Sequence, residues 1–323
     1  MALVTPMTSK STAAPRVARM TPDSIERGRR GGPVRLLIHG TDGCGKTTFG
    51  ADAPGAIFLP SEDGSGFLDV ARFPAPSDWQ DHLDAIDALV GDPGEFRTLV
   101  WDSLDHSEAM LHDYLCKEHG VKVVEDIGGG YGKWVNVVTD AWRVALSRLE
   151  RLQRERGLNV VLIAHSQIKN FANPEGPDFN RYQVKLADKS AAVVREWCHT
   201  VAFAQYEQFG EKDARTKKVK GVSTGARIMH FQRSAAFDAK DRTGLPDTLP
   251  LSWEAFAEAT RSGTSNLSNL LSEIKRKAAQ LGGDFEKKTT DFLAKNGTET
   301  AGLAKLNDRL NALLAEKAQQ EEG

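Results

Sequence analysis

Residues 38–50 read IHGTDGCGKTTFG, four glycines and one lysine set between an apolar run and a helix-compatible segment. Glycine loses more conformational freedom on ordering than any other residue, so four of them so close together point to a backbone that must approach something closely. Gly40, Thr41, Asp42, Gly43, Cys44, Gly45, Lys46 and Thr47 fit GxxxxGK[ST], the Walker A pattern. In such a loop successive backbone N–H groups curl around a β-phosphate, and the helix that follows aims the positive end of its dipole at the same anion. Lys46 reaches the β- and γ-phosphates, the Thr47 hydroxyl ligates Mg²⁺, and Thr48 continues the cradle into the helix. The ligands this predicts are ATP and Mg²⁺, and the loop demands a strand before it and a helix after it.

The flanks meet that demand. VRLLIHG (34–40), AIFLPSE (56–62), TLVWDS (98–103) and NVVLIAH (159–165) are short apolar runs of the kind that form buried parallel strands. Between the third and fourth, Val137, Val138, Trp142, Leu146, Leu149 and Leu152 fall on one helical stripe that stops at Gly157. Strands alternating with helices predict an α/β fold, a mostly parallel sheet flanked by helices. A P-loop needs a second Mg²⁺ anchor at the end of a neighbouring strand, and Asp102 supplies it. Ser103 follows, so the common Asp-Glu arrangement is absent. The carboxylates nearest in topology are Glu62 and Asp63, which end AIFLPSED.

Composition divides the 323 residues into three parts. Residues 1–33 carry six basic and two acidic side chains among Pro, Thr and Ser, and read as a disordered basic tail. Residues 34–261 form the nucleotide core. After a linker read at RSGTSN, residues 262–323 place Leu267, Leu270, Leu271 and Ile274, then Leu303, Leu306, Leu310, Leu313 and Leu314, at helical spacing, a small C-terminal helical extension. HTVAFAQYEQFG and ARIMHFQRS read as an antiparallel hairpin whose tip, 210–221, carries five basic and two acidic residues. Clustered cations of this kind fit either solvated segments or contacts to a nucleic-acid backbone. No run approaches the ~18 apolar residues of a membrane span and no secretory signal opens the sequence, so no membrane partner is expected. Cys44, Cys116 and Cys198 make neither a disulfide framework nor a CxxC pair, which fits a cytoplasmic setting.

Together these motifs resemble the RecA family. In RecA-like proteins the catalytic glutamate ends the strand after the P-loop helix, and the second Mg²⁺ anchor is followed by serine. The resemblance therefore gives Glu62 the water-orienting role, with Asp63 as the neighbouring choice, and sets Asp102 and Ser103 at the matching place. Pro60 departs from it, standing where RecA has an acidic residue. DIGGGYGKWVNVV, which contains Lys133, lies where RecA carries its first mobile DNA-binding loop. NVVLIAHSQIKNF resembles the strand whose polar end senses the γ-phosphate, a role open to His165 or Gln167.

A closer likeness is to phage-encoded RecA-like ATPases of the AAA-type phage nucleotide-binding family, which includes single-strand annealing proteins of the Sak-four type. KTTFGADAP, EDG, GGGYGKW, LIAHS and AFDAKDRTGLP carry it, over about residues 34–253. In AKDRTGLP, Lys240 and Arg242 resemble a Lys-x-Arg that enters the neighbouring subunit's ATP site in RecA-fold hexameric helicases and related recombination ATPases. That implies a homo-oligomer, ring or filament, with shared ATP sites.

Residues 168–190, IKNFANPEGPDFNRYQVKLADKS, are polar and contain two prolines, and read as one long loop. Lys169, Arg181 and Lys185 with Phe171, Phe179 and Tyr182 offer charges that track a backbone and rings that stack on bases. The other reading is a lid whose aromatics pack on the domain. The expected function is an ATPase acting on single-stranded DNA in phage recombination, by annealing or strand exchange, in the host cytoplasm. A single-strand DNA-binding protein is a further expected partner. A helicase-class motor or replication loader on the same core is the alternative. A small-molecule kinase is disfavoured, since no arginine-rich lid or acceptor pocket is legible.

Overall fold

The computed structural model describes residues 21–25, 31–174, 176–212, 219–296 and 300–321. The basic tail, 1–20 and 26–30, and the basic tip, 213–218, lie outside them. Residues 1–32 and 33–323 are separate units, and the architecture that follows is that of the second. In chain order it runs β1 (Arg35–Gly40), α1 (Lys46–Ala51), β2 (Ala56–Pro60), β3 (Ala71–Arg72), α2 (Trp79–Gly91), β4 (Thr98–Asp102), α3 (Leu104–His119), α4 (Trp134–Arg156) and β5 (Asn159–Phe171). Then come β6 (Phe179–Val184), α5 (Asp188–Trp197), β7 (Thr200–Lys212), β8 (Val219–His230), β9 (Thr248–Pro250), α6 (Trp253–Leu281), α7 (Gly283–Asn296) and α8 (Thr300–Glu321).

The strands form one sheet in the order β3-β2-β4-β5-β1-β7-β8-β9, with β6 paired to β5. Pairing is parallel from β3 through β7, and antiparallel for β7–β8, β8–β9 and β5–β6. The four apolar runs are therefore the parallel core strands, buried on both faces as their continuous hydrophobicity requires. Register fixes the site: Gly40 pairs with His165, Asp102 with Ile163, and Pro60 with Asp102. The carboxyl ends of β1, β2 and β4, with the matching level of β5, thus share one edge of the sheet, where open α/β sheets bind ligands.

Each face buries its own core. One packs Leu37, Leu59, Trp101 and Leu162 against α2, α3, α4 and α5. Trp79, Trp101 and Trp142 meet there with ring centroids 5.1–5.8 Å apart. Their polar edges are satisfied: Trp101 Nε1 donates to Ser107 Oγ at 2.7 Å and Trp142 Nε1 to Glu108 Oε1 at 3.2 Å. The other face packs Leu36, Ile38, Phe58 and Val161 against Phe49 of α1 and Trp253 and Phe256 of α6. Ile274, Ala278, Leu303 and Leu310 make a separate small core in the C-terminal helices.

Two sequence expectations change. Residues 168–190 are not one long loop: β5 continues to Phe171, β6 returns over Phe179–Val184, and α5 begins at Asp188. The prolines, Pro174 and Pro177, fall between β5 and β6, which removes the objection to strand on either side. RSGTSN is not a linker either, because α6 runs through it unbroken to Leu281. Its weak helix formers are overridden by anchoring at both ends, Phe256 in the main core and Ile274 in the C-terminal one.

Candidate functional site

β1 delivers the chain into the loop 41–45 and α1 begins at Lys46, so the strand–loop–helix geometry of a phosphate cradle is present. A side chain at Gly40 would collide with the Ala204 carbonyl of β7. Gly45 sits at φ 100°, a left-handed conformation that glycine alone adopts at little cost. Lys46 is 6% exposed and its Nζ donates to the carbonyls of Gly40 at 3.2 Å and Thr41 at 3.0 Å, over the mouth of the loop.

Thr47 Oγ1 donates to Asp102 Oδ2 at 2.7 Å. Burial raises the Asp102 carboxyl above the usual range, the Thr47 hydrogen bond opposes that, and the Glu62 charge adds to it. A buried carboxylate beside a hydroxyl is an oxygen-only donor set, which suits Mg²⁺. Glu62 follows β2; its Oε1 accepts from Ser103 Oγ at 3.0 Å, and its Oε2 lies 3.4 Å from His106 Nδ1. Asp102 and Ser103 are joined by a cis peptide bond.

A pocket of about 220 Å³ is lined by Gly43, Gly45, Lys46, Thr47 and Thr48 with Glu62, Asp102, Ile163 and His165. Of the two residues open for the sensor role, His165 faces this pocket. Gln167 is turned away, its amide donating to the carbonyls of Val184 and Leu186. His165 is held by Asp105, whose carboxylate accepts from the ring Nδ1 at 3.0 Å and from the His165 backbone N–H at 3.0 Å. That hydrogen bond raises the His165 pKa against burial, with the Asp105 charge adding to it. Burial works against the Asp105 carboxyl, yet the bonds from His165 and the charges of His165 and His106 hold it well below the usual range. With Nδ1 engaged, His165 presents Nε2, and Glu62, His106 and His165 each offer a ligand atom within 4.8 Å of the others.

Asp105, His106 and Arg227 were not legible in advance. Asp105 and His106 lie on the first turn of α3, just beyond Asp102. Arg227, on β8, reaches over the P-loop, so that a Cβ at Gly45 would lie 2.5 Å from its Nη1. Its cross-strand partner Tyr206 donates from its hydroxyl to the Gly43 carbonyl at 3.1 Å. No local sequence signal marks Arg227, because only the β7–β8 register brings it there. The Asp63 side chain lies outside the described ones.

The expected DNA residues divide. Lys133 is exposed at the head of α4, on the glycine-rich segment where Tyr131 is fully exposed. Lys169, Phe171, Arg181 and Tyr182 lie on the β5–β6 hairpin, with Lys185 just beyond it. Lys169 pairs with Asp188 at 2.6 Å and Lys185 approaches Asp105 at 3.5 Å. Arg181 is corrected: it is 5% exposed, its guanidinium 4.8 Å from the Phe171 ring centroid and bonded to the Ser234 carbonyl, so it braces the hairpin. Tyr182 is stacked on Phe203 at 5.2 Å and does not stand free for a base.

Lys240 is corrected as well. Its Nζ donates to the carbonyls of Arg195 at 2.6 Å and Cys198 at 2.7 Å, so it caps the end of α5 instead of projecting outward. Arg242 remains exposed. Lys240 bridges to Val201 and Thr200 pairs with Leu36, so this turn lies near the opening of β1, about four residues or ~13 Å from Gly40.

A family described as an AAA domain matches residues 32–243. No curated protein matches the chain in sequence. Among solved structures, the crystal structure of the RadB recombinase is similar at 13% identity with a TM-score of 0.35, covering 62% of this chain and 80% of that one. No helix among the described residues is long and apolar enough to cross a membrane.

Proposed function

Since the chain belongs to the AAA domain family, we propose that it is a RecA-like, Mg²⁺-dependent ATPase that works on single-stranded DNA as a homo-oligomer, in phage recombination by annealing or strand exchange. The observation that carries the ATPase reading is the convergence of Lys46, Thr47, Asp102, Glu62 and His165 on one pocket at the carboxyl edge of the sheet. Thr47 and Asp102 would hold Mg²⁺, which would neutralise phosphate charge there. Lys46 and the loop amides hold the phosphates. Glu62, held by Ser103, orients water and accepts its proton at the carboxylate. His165, oriented by Asp105, which also raises its pKa, faces the developing negative charge on the γ-phosphate. Arg242 lies toward the opening of β1 while the P-loop follows its carboxyl end, which supports a role in a neighbouring subunit.

The reading on DNA is supported by the β5–β6 hairpin rising from the strand that carries His165, and by the glycine-rich segment before α4. The test is ATP hydrolysis with and without single-stranded DNA, run beside an annealing and an unwinding assay. Stimulation with annealing and no unwinding is the expected result. Unwinding without annealing would move the protein to the helicase class, and hydrolysis indifferent to DNA would remove the DNA reading.

A further inference from the structure

A second cleft, of about 410 Å³, shares no lining residue with the nucleotide pocket. It lies between the end of α5 and residues 233–242, and the cations Arg195, Arg233, Lys240 and Arg242 face only two carboxylates there, Glu196 and Asp238. Lys240 is engaged by the α5 carbonyls, and Arg242 stands exposed on the turn after it. The other two cations make the upper wall, and both draw on one acid: Arg195 is ion-paired with Asp238, and Arg233 approaches the same carboxylate at 3.9 Å.

Arg181 stands behind them, buried, and its Nε has no hydrogen-bond partner among the described residues. Its guanidinium lies 4.8 Å, and that of Arg233 5.9 Å, from the centroid of the Phe171 ring. Burial, and then the charges of Arg233 and Arg181, lower the Arg195 pKa. Two guanidinium groups share the Asp238 carboxylate and a third lies behind them, which leaves positive charge that an anion would relieve.

The shape favours a strand of phosphates over a compact group. Residues 237–240 run extended from a bridge with Tyr182 of β6 to a bridge with Val201 of β7, ~10 Å of floor. At the hairpin end the Phe171 and Phe179 rings pair at 5.2 Å, a surface on which a base can stack. The floor also touches the ATPase strand: His39, one residue before Gly40, donates from Nε2 to the Asp238 carbonyl at 2.8 Å.

We infer that this cleft carries the backbone of single-stranded DNA, with Arg195 and Arg233 on successive phosphates, Arg181 positioning the hairpin, and Phe171 meeting a base. The inference rests on the single-stranded DNA reading above and adds Arg195 and Arg233 to the residues expected from sequence.

The experiment is fluorescence anisotropy of labelled oligo(dT) against the full chain at several KCl concentrations. Arg233→Gln is the main variant, since its side chain is 59% exposed and its loss opens no core. Arg195→Gln is the second, and Arg143→Gln, an exposed cation on α4 paired with Asp140, is the control. Each cleft variant should weaken binding about tenfold and reduce the slope of log affinity on log salt by about 0.7, the share of one phosphate contact on a single strand. The control should change neither. Arg233→Gln, folded by its melting profile, binding with wild-type affinity and slope would overturn the inference while leaving the DNA reading intact. So would a defect confined to ATP turnover, which would place a neighbouring subunit's nucleotide in the cleft. Wild-type protein that fails to bind oligo(dT) would remove the DNA reading itself.

Discussion

Replacing Glu62 with glutamine separates nucleotide binding from hydrolysis. Glutamine keeps the length of the side chain and an oxygen to accept from Ser103 Oγ, now at 3.0 Å, so the local structural cost is within the ~1 kcal/mol of one hydrogen bond. It removes the basic site that takes the proton of the attacking water. A positioned general base contributes about 10²–10⁴-fold, so turnover should fall by that factor, roughly 3–5 kcal/mol on the barrier. ATP affinity should not fall, because the Glu62 charge disfavours the ionised form of Asp102 and its loss relieves that repulsion. Single-turnover hydrolysis beside equilibrium binding of a fluorescent ATP analogue measures both. Turnover within a few-fold of wild type would refute the assignment, and loss in Asp63→Asn instead would move the base by one residue.

Asp105→Asn removes the group that raises the His165 pKa. Because the pKa is raised, the helpful positive charge is present below it and is lost as pH rises through it. The falling limb of the kcat–pH profile should therefore move to lower pH in the variant, and an unmoved limb assigns it to another group. Gly45→Ala forces a Cβ into a left-handed residue 2.5 Å from Arg227 Nη1, which should cost about 1–2 kcal/mol in denaturant titration and weaken ATP binding; a neutral variant would show that the loop relaxes easily. Arg242→Ala should bind ATP yet hydrolyse little, and mixing it with Glu62→Gln should restore part of the activity through interfaces that pair an intact P-loop with an intact arginine. No recovery in subunits shown to mix would count against a shared site.

Much of this site was legible because its signals are local. The Walker loop, Asp102 and Glu62 each follow an apolar run, and strand ends in a parallel sheet converge on one edge. The stripe of Val138, Trp142, Leu146, Leu149 and Leu152 is buried along α4, which ends at Arg156 beside Gly157. What escaped depends on partners distant in sequence. The β5–β6 hairpin sets single apolar residues among polar ones, so no apolar run announced it. Lys240 and Arg181 carry the charges expected of outward-facing residues, but their neighbours (the α5 carbonyls for one, two phenylalanine rings for the other) turn both inward. Asp105 matters only because β5 brings His165 to it, and Arg227 only because β8 lies across from Tyr206.

Titrating ATP into wild-type protein and Lys46→Ala, with and without Mg²⁺, measures whether this loop cradles ATP with its lysine on the phosphates. Wild type should bind with affinity increased by Mg²⁺. The variant, unfolding as wild type does, should bind about 10–100-fold more weakly, the worth of one charge-assisted contact. Equal affinity in the two folded proteins would contradict that cradle.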